Sequence, residues 1–119
     1  MNNNAVILFG VQAHLLTDNE YDEHALYYKK SPVYGVIGKC FSVFAQHCPD
    51  DTWYVWIEQD VHNSLFDIVL TRGANCSTLE EAQQDLLARV EQKMKMYQTA
   101  HNVLQNHKFN NIMKAMLST

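Results

Sequence analysis

The chain has 119 residues, 47% apolar and 11% aromatic, with two prolines and four glycines, a composition that excludes disordered, low-complexity and collagen-like architectures. It is long enough to bury a core without disulfides or a structural metal, so one α+β domain over residues 1–119 is expected. The net charge of −4 is unevenly spread: residues 1–88 carry four basic and twelve acidic side chains, a net −8, and residues 89–119 carry five basic and one acidic, a net +4, too thin a basic stripe for a nucleic-acid binder.

Ala5 to Leu16, AVILFGVQAHLL, is almost continuously apolar and rich in β-branched and aromatic residues, which predicts a central strand buried on both faces. His14 reads as a hydrogen-bonded strand histidine, with no second ligand two residues away. Thr17 to His24, TDNEYDEH, is an acidic surface loop. Asp18, Glu20, Asp22 and Glu23 beside Tyr21 combine a negative field with one aromatic anchor, which suits a protein partner with a basic surface. The loop lacks the glycine and distal glutamate of a calcium-binding EF-hand. Ala25 to Lys30 accommodates a short strand or a helical turn, with strand preferred, and the residue before Pro32 is pushed away from the α region in either case.

Ser31 as N-cap and Pro32 at the first helical position open a segment in which Val33, Val36, Ile37, Cys40, Phe44 and His47 recur at spacings of three and four. This predicts an amphipathic helix ending near Cys48-Pro49. His47-Cys48 raises a metal or nucleophile reading, but no paired C-x-x-C or H-x-x-x-H ligands occur, and a structural cysteine is the reading adopted. Residues 52–61 and 65–72 are β-rich runs around His62-Asn63-Ser64, which predicts a hairpin with a three-residue turn pairing Gln59 with Asp67. One face of it carries Val55, Ile57, Val61, Leu65 and Val69, and the other Tyr54, Trp56, Phe66, Ile68 and Leu70. Glu58, Asp60 and His62 stand at the polar tip of the aromatic face. Two carboxylates and an imidazole can perform acid–base chemistry or hold a metal; the ordinary alternative is that strand residues near a turn are simply wet.

From Ser77 or Thr78, with Glu80 and Glu81 in the first turn, a capped helix of roughly 25 residues follows, bearing Leu79, Ala82, Leu86, Val90, Met94, Tyr97 and His101 on one stripe. Asn106 offers a break before a second short helix over Phe109, Ile112, Met113, Met116 and Leu117. The methionines at 94, 96, 113 and 116 read as core filler or as an adaptable interface. An apolar strand pair followed by S-T-L-E-E-A resembles HicB-like antitoxin domains over residues 53 to 92. That family's proline-containing strand end and glycine-bracketed turn are missing here, so no residue role is carried over.

The expected fold is therefore a small antiparallel sheet of three to four strands, with a helix after the first strands, a long C-terminal helix and a short terminal one. Two functions fit. The first is a small cytoplasmic protein-binding regulator, inhibitor or immunity-type partner, homodimeric, needing no cofactor or metal. The second is a small enzyme or ligand-binding domain with its site near Glu58, Asp60 and His62. The absence of a phosphate loop, dinucleotide fingerprint, zinc pattern or G-x-S-x-G elbow favours the first. No apolar run approaches the ~20 residues that span a bilayer, the N-terminus does not read as a signal peptide, and three cysteines at irregular spacings fit reduced thiols.

Overall fold

The computed structural model describes residues 5–17, 26, 31–59, 68–106, 114 and 116. Its elements, in chain order, are β1 (Ile7–Leu8), β2 (Val11–Gln12), β3 (His14–Leu15), β4 (Val33–Val36), β5 (Phe41–His47), β6 (Trp53–Gln59), β7 (Ile68–Arg72) and α1 (Leu79–Gln105). β1 and β2 form a two-stranded sheet, and β3 to β7 lie side by side in sequence order in a five-stranded sheet, every pairing antiparallel. The class is α+β, as expected, but the sheet is larger than three to four strands. By its contacts the chain divides into two compact units, Met1–Ala88 and Arg89–Thr119.

The apolar run Ala5 to Leu16 is not one central strand. It reverses at Phe9-Gly10, where Leu8 pairs with Val11 and both loop residues take positive φ, 51° and 82°. A two-residue loop with two positive φ values matches the right-handed twist of its strands, and glycine is at ease there while phenylalanine is not. The chain then contributes only a short edge strand, His14 opposite Gly35 and Leu15 opposite Tyr34.

The helix expected from Ser31 to Cys48 is a β-hairpin instead, with β4 paired to β5 from Val33↔Gln46 to Val36↔Val43. Two glycines decide it. A Cβ on Gly35 would stand 2.8 Å from the Phe44 ring, and one on Gly38 would stand 2.3 Å from the Phe41 carbonyl, so both positions let chain segments approach as a hairpin requires. The three-and-four spacing of apolar residues was accidental in a run where β-branched and aromatic residues also alternate. β5 then joins β6 through Pro49-Asp50-Asp51: Asp51 N–H donates to the Cys48 carbonyl at 3.0 Å, and Asp51 sits at φ 64°, as in three-residue loops built on a turn plus one left-handed residue.

β5 and β6 form the centre of the sheet, paired over seven residues from Phe41↔Gln59 to His47↔Trp53. The expected β6–β7 hairpin is present, but Gln59 pairs with Ile68 rather than Asp67, and the register shifts at Ile57/Glu58. That shift puts Val69 against the aromatic face, opposite Glu58, instead of on the Val55 face. Leu16, Val33, Phe44, Cys48, Tyr54 and Trp56 make a buried cluster on that face, with Phe44 and Tyr54 rings 5.4 and 5.1 Å from the Trp56 ring. Ala45 and Val55, which point the other way, are wholly buried as well, as are Leu8, Ala82 and Leu86.

α1 has 27 residues, close to the expected length. Its start is capped twice over: the Thr78 hydroxyl accepts the Glu81 N–H at 3.1 Å, and the Ser77 hydroxyl donates to the Glu81 carboxylate at 3.1 Å. Asp85 ties the helix back to the strand exit by accepting the Ala74 N–H at 2.6 Å. Its stripe is buried only at Ala82 and Leu86. Among the described elements α1 is the only helix, and the short helix expected over Phe109–Leu117 falls outside the described residues except for Lys114 and Met116.

Candidate functional site

Of the predicted acid–base constellation the structure describes Glu58; Asp60 and His62 lie outside the described residues, as do Asp18, Glu20, Tyr21, Asp22 and Glu23. Glu58 is not wet. It is buried on the aromatic face opposite Val69, and its Oε2 accepts the Trp56 indole N–H at 2.6 Å. A carboxylate held by an indole in the core orders the strand and contributes little as a proton shuttle to solvent. Next to it, burial pushes the Tyr54 phenol above its ordinary value, with the Arg72 charge opposing and the Glu58 charge reinforcing.

At the far end of the same two strands, His47 stacks on Trp53 with ring centres 4.3 Å apart and planes 7° from parallel, and its Nε2 lies 2.7 Å from Asp51 Oδ1. Tyr34 flanks the pair, 6.3 Å from Trp53. The positive φ of Asp51 aims its carboxylate back along the strand at the imidazole. Cys48, next in sequence, is buried; Asn75 Nδ2 donates to its sulfur at 3.5 Å, and burial pushes its thiol upward, with the Thr52 and Asn75 hydrogen bonds opposing. A neutral, buried thiol is a packing group and a poor nucleophile. Among the described residues no group of three or more His, Cys, Asp or Glu side chains is placed to hold a metal ion.

Among the described residues a shaped surface cleft lies elsewhere. Phe9, at the tip of the β1–β2 hairpin, and Glu80, Gln83, Gln84 and Leu87 of α1 line a cleft of about 220 Å³. Phe9 N–H donates to Gln83 Oε1 at 2.7 Å, which fixes the hairpin tip against the helix. Phe9 and Leu87 are 44% and 48% exposed, so the cleft has an apolar floor, while Glu80, Gln83 and Gln84 give it a polar, acidic rim. Phe9 is also strained. A non-glycine residue at positive φ costs on the order of 1–2 kcal/mol, and asparagine or glycine is the usual occupant of this loop position. Strain held at an exposed aromatic is the kind of outlier that marks a functional position. Sequence reasoning missed this cleft because it read Phe9-Gly10 as strand interior; the F-G dipeptide inside an apolar run was the available signal.

No protein-family model matches the chain, and neither the curated proteins nor the solved structures contain a significant match to it. No described helix is long and apolar enough to cross a membrane.

Proposed function

We propose that this chain is a small protein-binding module, a regulator, inhibitor or immunity-type partner, whose contact surface is the cleft between the β1–β2 tip and the first turns of α1. The observation that carries the reading is Phe9: a half-exposed aromatic ring kept in a left-handed conformation beside Leu87, with Glu80 on the rim. Aromatic anchors beside a polar rim are where protein interfaces concentrate their energy. The partner that fits is a protein presenting an apolar side chain next to lysine or arginine, because residues 1–88 carry a net −8. The four carboxylates from Asp18 to Glu23 contribute to that net charge, which favours the same class of partner. Self-association and a cytoplasmic setting are part of this reading, the latter supported by Cys40, Cys48 and Cys76 being free thiols. The polar-tip enzyme reading is weakened by Glu58, whose carboxylate faces the core.

The test is affinity capture with the wild-type chain and the Phe9→Asn variant in parallel. A protein held by wild type, released by moderate salt and lost from Phe9→Asn supports the reading. Equal capture by both chains, or no protein captured by wild type, overturns it.

A further inference from the structure

The Phe9 cleft has a direction. Glu80, Gln84 and Leu87 follow one another along α1 at spacings of four and three, so they line one side of it, with about 10 Å of helix rise between the carboxylate and the leucine. Phe9 faces them part-way along, beside Gln83, whose Oε1 accepts its N–H. The trough therefore runs from an apolar end at Leu87, past an aromatic ring, to an acidic end at Glu80. Its volume of about 220 Å³ is below the roughly 300–1,000 Å³ of sites that enclose a small molecule, and it suits one long side chain. We infer that this side chain is an arginine of the partner protein, its stem along Leu87 and Phe9 and its guanidinium at Glu80 and Gln84. The inference rests on the reading of the chain as a protein-binding module and names the residue that its cleft receives.

The chemistry is decided by which polar groups of the first turns are open. Two neighbouring acids are engaged: the Glu81 carboxylate accepts the Ser77 hydroxyl, and the Asp85 carboxylate accepts the Ala74 N–H. The Gln83 amide is used at both ends, by the Phe9 N–H and by the Leu79 carbonyl. Glu80 and Gln84 have no hydrogen-bonding or ionic partner among the described residues. One is a carboxylate and the other an amide, one helical turn apart on the same face.

That pair of acceptors selects among occupants. A guanidinium presents several N–H donors in a flat fork, so it can serve both oxygens while its plane lies on the face of the Phe9 ring. The stem behind it is apolar and matches Leu87. A lysine ammonium is a compact and more strongly hydrated charge, which gains less from a flat aromatic face on an open rim. An apolar side chain would displace water from Glu80 and return no hydrogen bond, which is unfavourable. The net −8 of residues 1–88 adds a long-range attraction for the cation.

The experiment is a nuclear magnetic resonance titration of the isotope-labelled full chain, in low salt, with the blocked tripeptides Gly-Arg-Gly, Gly-Lys-Gly and Gly-norleucine-Gly. The arginine peptide should shift the Phe9 backbone amide, the Gln83 and Gln84 side-chain amides and the Leu87 methyls. It should bind at least about threefold more tightly than either of the others. Glu80→Gln should weaken the arginine peptide at least about threefold and leave the norleucine peptide unchanged. Glu91→Gln removes the same charge farther along the helix and should change neither. Equal affinity for the arginine peptide and either of the others, no response at Phe9 and Gln83, or an arginine peptide unaffected by Glu80→Gln would each overturn the inference. Capture of a protein that is lost from Phe9→Asn would survive every one of those results, so the two readings fail separately.

Discussion

Phe9 and Asp51 are both non-glycine residues in the left-handed region, yet they stand for different things. Asp51 suits the region chemically, since aspartate tolerates it, and its carboxylate accepts a hydrogen bond from His47 Nε2. Phe9 has no such compensation beyond its backbone N–H to Gln83, which any residue there would make. Glu58 and Trp56 are hydrogen-bonded in the core. Trp56→Phe, which keeps an aromatic ring and deletes the donor, should cost about 1–3 kcal/mol in urea unfolding by stripping the carboxylate of its indole bond. Two buried acids set an alkaline limit. The Tyr54 and Cys48 pKa values are raised by burial, so the folded state holds their protons more tightly than the unfolded chain does. Their contribution is fully present below the unfolded values, about 8.5 for a thiol and 10 for a phenol, and is lost as the pH rises through the higher folded values. Thermal melts between pH 7 and 11 should show the Tm falling from about pH 9 upward, and Tyr54→Phe should flatten the upper part of that fall.

At the scale of elements, legibility followed how many physical signals agreed. α1 was readable because cap, first-turn carboxylates and apolar stripe all pointed to one helix, and the β6 strand because TWYVWIE admits no helix reading of comparable strength. The β4–β5 hairpin was not readable, because Ser31-Pro32 imitates a helix start and the alternation in CFSVFAQH was outweighed by a three-and-four spacing. What settles it is tertiary: the room that Gly35 and Gly38 leave for Phe44 and for the Phe41 carbonyl. Substitution should show this directly. Gly35→Ala meets the Phe44 ring, which is packed against Trp56, and it should cost about 1–3 kcal/mol. Gly38→Ala meets backbone, so it should cost more, as ordered by chemical denaturation of the two variants. The candidate site was legible only at Glu58's place on the aromatic face. Its burial depends on the register shift at Ile57/Glu58, and the Phe9 cleft depends on a turn hidden in an unbroken apolar run; neither is a local property of sequence.

For the whole molecule, the boundary between the two compact units, Ala88 to Arg89, coincides with the boundary between the acidic and basic parts of the chain. The proposed partner surface, the Phe9 cleft, lies wholly in the acidic unit, which is why the proposed partner is basic. Raising salt should weaken capture at the proposed cleft, because the attraction to a basic partner is screened. Capture measured over a salt series checks this. The measurement that bears most directly on the protein-binding reading is made on Phe9→Asn, comparing its thermal unfolding with its affinity for whatever protein the wild-type chain captures. Relief of strain predicts a Tm equal to or above wild type, by up to about 1 kcal/mol of added stability, together with loss of the partner. A variant that binds the partner as tightly as wild type would show that the ring at the hairpin tip has no part in recognition and would contradict the proposed function.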